Sequence, residues 1–472
     1  MLFSHVLLTQ TKEIKMQVRT VGIRPTTQQT ISLTPELLAS TGARYSRNNE
    51  GLEAILEKIE GMDQDKAVDT IFAMVDYGHR SIADMAPVAM FMDNISILMA
   101  LKIWHLCPTA GGQESSTRYV KLSIDNITLP PDTPPEHISL ITQSFEAYEQ
   151  SYELWTQLAE TKPEILNIPK ELIESTDKKD KMKVERLRRN FAFDRARYFI
   201  PMCCQTNVMM LMQARGWVDL IQYLASDNTK ESRDLAYQLT IEFKKATPRL
   251  TKHTAYNEYT SQGIQQDFEQ AIYEEVEPHE HFTNSYANPF LHIRTPGYVG
   301  QRDIVKALKN HNNRYAYFGQ AIKRTSVAFG WQSLTIAELR DLNRHRTGTK
   351  YFNLIPNGFY CSDDEILKHE TINPEITQKL IKLRKIGIKL TALASKLCFE
   401  KNPNFAYFLP MGAQCYYEHT TTANHFLYQC ELRTGLGSHF TYAARMREVL
   451  ELWHKEFPET RELIKPGNAE PE

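Results

Sequence analysis

The sequence predicts an α+β protein in which helices pack with a mixed or antiparallel sheet, and in which one architectural unit is written twice. The pentapeptide Tyr198-Phe199-Ile200-Pro201-Met202 returns 209 residues later as Tyr407-Phe408-Leu409-Pro410-Met411. A second pair of anchors keeps the same order, because His105 precedes Tyr119 by 14 residues and His345 precedes Tyr360 by 15. Between these anchors, apolar residues at helical spacing alternate with short strand-like runs.

Leu52, Ile55, Leu56 and Ile59 recur at helical spacing, and a second helical stretch, Val68 to Val75, leads into Gly78-His79. Gly78 suits a helix end, where a left-handed residue costs least in glycine. Pro87 to Met92 reads as a short strand. Ile95 to Trp104 reads as a helix stopped by Pro108, with Gly111-Gly112 in the loop beyond. A Pro-Pro-Asp segment and a helical run follow, and then the charged stretch Asp177 to Lys181, a solvated helix start or hinge. Leu235, Leu239 and Phe243, and later Met446, Leu450 and Trp453, are stripes expected to face the core.

The copies are expected to be residues 1–250 and 251–472. From His105 to Pro201 is 96 residues and from His345 to Pro410 is 65, so the first copy carries 31 more, in its charged middle. Added surface loop costs little closure entropy.

The chain of 472 residues is 42% hydrophobic, enough for a substantial core, and its formal net charge of -2 predicts neither a nucleic-acid nor a membrane partner. An anionic small ligand then has to be held by a few local arginines. Seven cysteines without a CxxC pair fit the cytoplasm and offer no metal site. No basic n-region precedes a cleavable apolar core at the N-terminus. The most apolar stretch, Ala86 to Trp104, is interrupted by Asp93, Asn94 and Lys102, which disfavours a membrane span.

Three polar clusters offer chemistry. Arg344-His345-Arg346 follows the helical pattern Leu334, Ile336, Leu339, Leu342, and its donors suit phosphates or ring carbonyls; a helix C-cap is the alternative reading. In Gln113-Glu114-Ser115-Ser116-Thr117-Arg118-Tyr119, alternation along an extended segment would put Glu114, Ser116 and Arg118 on one side, and a solvated edge strand is the alternative. Glu431-Leu432-Arg433 with Ser438-His439 adds Arg433 and His439, while Arg447 with Glu448 reads as surface charge. Arg215, in Gln213-Ala214-Arg215, is a separate candidate.

Taken in order, Gly78-His79, His105, Gln113 to Tyr119 and Gln213-Ala214-Arg215, and separately Arg344-His345-Arg346, Tyr360, Leu409-Pro410, Leu432-Arg433 and Ser438-His439, resemble the flavin-dependent thymidylate synthase family. Its signature is Arg-His-Arg, a short gap ending in Ser, then Glu-x-Ser-x-Arg-Tyr. The resemblance implies an α+β tetramer-forming enzyme that binds FAD and reductively methylates dUMP to dTMP, using 5,10-methylenetetrahydrofolate and NADPH, without a cysteine nucleophile. It implies catalytic roles for Glu114, Ser116, Arg118 and Arg433, and flavin contacts from Arg344, His345, Arg346, His439, His79 and Arg215. Two copies per chain imply a homodimer that imitates the tetramer.

Each copy departs from the pattern. The first has Trp104-His105-Leu106 where Arg-His-Arg belongs, and the second reaches Phe359-Tyr360 without the Glu, Ser or Arg. Where the family keeps an arginine after Leu-Pro, this chain has Asn207 and Tyr416, and Lys350 is a candidate to compensate. Complementary losses suggest a composite site, with the nucleotide wall from copy one and the flavin wall from copy two. The alternatives are a flavin enzyme for another pyrimidine nucleotide and a non-catalytic structural or regulatory homologue.

Overall fold

Two antiparallel sheets organise an α+β fold. The computed structural model describes residues 16–21, 33–47, 52–76, 80–118, 121–166, 168–275, 282, 287–362, 374–435 and 438–467. By packing, the chain divides into two units. The described residues of the first lie within Met1–Ser115, Asp125–Pro131 and Cys204–Phe268, and those of the second within Ser116–Ile124, Asp132–Cys203 and Glu269–Glu472. Packing therefore groups residues 132–203 with the later part of the chain, a grouping that the repeat pattern alone does not express.

In the first unit, β1 (Gln17–Val21), β2 (Pro87–Ser96), β3 (Gly111–Glu114) and β4 (Gln205–Gln213) lie in the order β1-β2-β4-β3, every pair antiparallel. Strand alternation turns Val208, Met210 and Met212 of β4 inward. There they join Trp217, Leu220, Ile221, Leu224, Leu235, Leu239 and Phe243 in one apolar core. The pairing of β2 with β4 slips between Met92 and Ile95. At the slip Asn94 takes φ 60°, and its N–H donates to Asn207 Oδ1 at 2.9 Å. The helix Ile97–Leu106 starts two residues later than the apolar pattern predicts. Ser96 sets the start, its hydroxyl accepting from Met99 N at 2.9 Å and donating to the buried Glu231 at 2.7 Å.

Gly111 and Gly112 are strand rather than loop. Gly112 has φ 151°, and a Cβ there would lie 2.0 Å from the Met209 carbonyl oxygen, so only glycine permits this close pairing with β4.

In the second unit, β5 (Pro289–Arg294), β6 (Ser326–Thr335), β7 (Thr349–Tyr351) and β9 (Ala413–Thr422) lie in the order β5-β6-β9-β7, with β8 (Gly358–Phe359) also on β9. Here β6 slips against β9 between Trp331 and Leu334. Thr335 then caps the helix Ile336–Asn343, accepting from Glu338 N at 3.1 Å while Glu338 accepts from Thr335 N at 3.0 Å. Helix Pro135–Thr161 packs against helices Lys178–Ala196 and Pro374–Phe399. As the charged stretch suggests, Asp177 begins the Lys178–Ala196 helix, accepting from Lys179 N at 2.6 Å.

The repeated pentapeptides meet in this unit and bind each other reciprocally. Met202 N donates to Leu409 O at 2.9 Å and Met411 N to Ile200 O at 2.8 Å; Cys203 N donates to Tyr407 O at 3.1 Å and Gly412 N to Tyr198 O at 2.7 Å. Among the described residues, no helix is long and apolar enough to cross a membrane.

Candidate functional site

The second unit gathers buried charge around two helix ends. Helix Ile336–Asn343 ends at Arg344, an exposed C-cap, and His345 turns back into the protein with its N–H on Leu342 O at 3.1 Å. Arg433, in the last turn of helix Ala423–Arg433, donates from Nε to His345 Nε2 at 2.7 Å. The acceptor must carry a lone pair, so His345 is neutral with its proton on Nδ1. Burial, reinforced by Arg433, His419, Lys350 and Arg344, holds its pKa well below the ordinary histidine value. The Arg433 guanidinium also lies 5.5 Å from the Tyr442 ring centre.

Arg118 reaches the same unit from the sequence signature. Burial works against its charge, but Asp194 outweighs burial and holds it protonated; Nε and Nη2 grip the two carboxylate oxygens at 2.6 and 2.8 Å. Asp341 is the counterpart. Burial pushes its carboxyl up, yet Arg197, Arg118 and Arg344 together bring it below the usual value, with Arg197 Nη2 at 2.8 Å.

His439 is fully buried and caps helix Phe440–Glu456, accepting at Nδ1 from Thr441 N at 3.3 Å and from the Thr441 hydroxyl at 2.9 Å. Its Nε2–H donates to the Asp194 carbonyl at 3.1 Å, so both ring nitrogens are already engaged within the protein.

Lys350 on β7 is buried, with no carboxylate paired to it among the described residues; burial and Arg346 push its ammonium down to about 8. Its register partner His419 donates to Thr347 O at 2.6 Å and is pushed down to about 4 by burial first and Lys350 second.

The structure thus brings Ser116, Arg118, Arg344, His345, Arg346, Arg433 and His439 into one unit, and leaves Glu114 and Arg215 in the other. Glu114 closes β3 opposite Val208. Arg215 pairs with Asp84 at 2.7 Å and lines a cavity of about 490 Å³ with Arg80 and Asp219. His79 and Tyr119 lie outside the described residues.

The even alternation expected from Glu114 to Arg118 is not kept. The strand ends at Glu114 and the backbone turns, with the Ser116 hydroxyl accepting from Arg118 N at 3.2 Å. Glu448 is also not the surface charge expected. It is half-buried, accepting from the Trp331 indole at 3.2 Å and from Arg445 at 2.6 Å, and burial pushes its carboxyl up. Sequence reasoning missed Asp194, Arg197 and Asp341. Arg197 directly precedes the repeated pentapeptide, Asp194 lies four residues before it and Asp341 precedes Arg344 by three, so proximity to the two anchors was the available signal.

The departures from the family arginine now have structural roles. Asn207 serves the slip at Asn94. Tyr416 stacks on Phe290 at 5.9 Å and donates to Glu418 at 2.9 Å. The roughly 330 Å³ cavity beside Tyr416 is lined by Glu274, Glu275 and Glu418, and three carboxylates there would repel a phosphate.

Residues 30–249 match the family model described as thymidylate synthase complementing protein. A flavin-dependent thymidylate synthase from Clostridium tetani (strain Massachusetts / E88) is 23% identical over 221 residues, which cover 47% of this chain and 82% of the relative. Over part of its length, the chain is related to the flavin-dependent thymidylate synthases. Among solved structures, a UMP/dUMP methylase, PolB, from Streptomyces cacaoi, bound with 5-Br dUMP, aligns at 14% identity and a TM-score of 0.30, covering 51% of this chain and 94% of that one.

Proposed function

We propose that the chain reductively methylates carbon 5 of dUMP to give dTMP, with FAD as cofactor and 5,10-methylenetetrahydrofolate and NADPH as co-substrates. The observation that carries the reading is that Asp194 and Arg197, three residues apart, hold both motifs: Asp194 grips Arg118, from the Glu-x-Ser-x-Arg segment, and Arg197 grips Asp341, three residues before Arg344 of Arg-His-Arg. This supports a composite site within one chain, with Arg118 and Ser116 on the nucleotide side and Arg344, His345 and Arg346 on the flavin side.

The donor set fits FAD. Lys350 is a buried cation without a carboxylate among the described residues, and a phosphate would supply its countercharge. Arg344, Arg346 and Lys350 would hold the phosphates. When bound, FAD supplies the reducing equivalents. Arg118, fixed by Asp194, is preset to stabilise the electron-rich uracil carbonyl, and neutral His345 fixes Arg433. A thiolate nucleophile has little support. All seven cysteines are buried, burial pushes Cys398 and Cys415 up to about 12, and it pushes Cys430 well above the ordinary thiol value. Glu114, Arg215, His79 and His439 enter the proposal on the family resemblance.

The two sheets are read as divergent copies of one unit. The same strand order, the same slip before a capped helix and the reciprocal pentapeptide pairing support this. A cytoplasmic homodimer with four such copies is the expected assembly.

Purified protein incubated with FAD is expected to retain flavin absorbance and to form dTMP from dUMP when the co-substrates are added. Arg118→Ala is expected to keep flavin and lose turnover, and His345→Ala to lose flavin. Protein that takes up no flavin overturns the reading. The replacement of the family arginine by Asn207 and Tyr416 favours a second reading, a flavin enzyme for another pyrimidine nucleotide. Calorimetric titration of flavin-loaded protein separates the two by whether dUMP or another pyrimidine nucleotide binds more tightly.

A further inference from the structure

We propose that the segment from Arg294 to Arg324 forms a surface that binds single-stranded nucleic acid. It holds seven of the 55 lysines and arginines (Arg294, Arg302, Lys306, Lys309, Arg314, Lys323, Arg324) and one of the 57 acids, Asp303. The rest of the chain therefore has 48 cations against 56 acids, and the overall charge of -2 conceals a local excess of six. Asp303 is itself committed, accepting from Gly300 N at 3.0 Å. The packing neighbours contribute Glu456, whose backbone carbonyl accepts from Gln301, Glu459 in the 3-10 turn Pro458–Thr460, and the buried Glu431, whose carboxylate lies 2.9 Å from His311 Nε2.

The cations are interleaved with exposed rings. Tyr298, Tyr315 and Tyr317 are 70%, 71% and 59% exposed. Arg324 sits 4.8 Å from the Tyr298 ring centre, Lys323 4.3 Å from Tyr317 and Arg314 4.8 Å from Tyr315. A cation on one face of a ring leaves the other face for a base, and stacking of this kind tolerates any sequence.

The segment is folded to present these groups together. Helices Gln301–Leu308 and Gln320–Arg324 are joined by Gly319 N donating to Ala307 O at 2.9 Å; a Cβ on Gly319 would lie 2.7 Å from Ala307 Cα. Arg302 and Lys306, four residues apart, are both exposed on the first helix.

Arg314 points independently to an acceptor-rich ligand. It is 5% exposed, and its Nε and Nη1 have no hydrogen-bond acceptor. Two N–H-bearing nitrogens without acceptors on a buried guanidinium are costly, and phosphate oxygens are their natural complement. A second copy of the chain is a poorer occupant, because a two-fold contact through this patch would set cations against cations. A membrane surface is also poorer, because the large exposed apolar side chains of the segment are tyrosines, Tyr298, Tyr315 and Tyr317.

The test is fluorescence anisotropy with the full chain and labelled single-stranded RNA and DNA of about 12 nucleotides. Binding is expected to weaken between about 50 and 200 mM salt, with a log–log slope of about -0.7 for each phosphate neutralised. Tyr298→Ala with Tyr317→Ala should weaken binding about tenfold or more at an unchanged salt slope. Arg302→Glu with Lys306→Glu should weaken binding and flatten the slope. Arg314→Leu should weaken binding while the melting temperature holds or rises, which separates ligand loss from misfolding. Lys178→Glu with Lys179→Glu, on a different helix, should leave binding intact. The proposal is overturned by no binding at low salt, by duplex bound as tightly as single strands, or by equal weakening in the Lys178/Lys179 variant. Capture by phosphatidylserine vesicles without oligonucleotide binding, or patch variants that alter only the oligomeric state, also overturns it.

Discussion

The two sheets share a strand order and differ in the helix that leaves the slipped strand. After β2 comes a helix whose Ile97, Leu98, Met99, Ala100, Leu101, Ile103 and Trp104 are all buried. After β6 comes a helix that buries Glu338 and Asp341 and ends in Arg344-His345-Arg346. The same strand order therefore accommodates either an apolar or an ionic helix, provided that each buried charge meets a partner, as Asp341 meets Arg197.

The largest effect should come from breaking that condition. Asp341→Ala leaves Arg197 buried without its carboxylate and is expected to cost about 3–5 kcal/mol in urea denaturation. Replacing the pair together, Arg197→Met with Asp341→Leu, should recover most of that loss. A single variant no worse than the double would show that the ionic helix does not depend on pairing.

Acid should distinguish the ionic region next. His345, His419 and His439 are held neutral when folded, with pKa values below that of an unfolded histidine. Their contribution is complete above about pH 6.5 and is lost as pH falls, because the unfolded chain then takes up protons that the folded chain refuses. For His419, pushed down to about 4, the loss at about pH 5 is about 2 kcal/mol. His419→Gln should flatten the fall in denaturant midpoint between neutral pH and pH ~5; an unchanged profile would remove His419 from the account.

The smallest effect compares the caps. Thr335→Ala and Ser96→Ala should each cost about 1 kcal/mol, because each hydroxyl caps its helix and also donates to a buried glutamate, Glu338 or Glu231. Clearly unequal melting shifts would mean that one of the two glutamates finds a replacement partner and the other does not.

Much of this comparison was legible in the sequence. Strand β2, the helices Leu52–Glu60 and Gln64–Asp76, and the buried stripes Leu235, Leu239, Phe243 and Met446, Leu450, Trp453 follow from local periodicity. The glycine pair in β3 did not, because its strand exists through contact with Met209, distant in sequence. Within the site, Arg118 and Arg344 were legible as motif residues. Asp194 and Asp341 were not, since a carboxylate buried by a remote arginine looks in sequence like any surface acid. His439 was legible as a candidate, whereas its capping role depends on the Asp194 carbonyl brought in by another helix.

The pentapeptide junction has a consequence for how the molecule can change. Where two identical chains meet across a symmetric contact, every substitution arrives twice, and a charge introduced on one side is met by the same charge on the other. Here the two sides are different stretches of a single chain, and Arg197 precedes Tyr198 while Ala406 precedes Tyr407. One side was therefore free to acquire an arginine that needs a single buried acid, Asp341, without forcing a second pair on the opposite side.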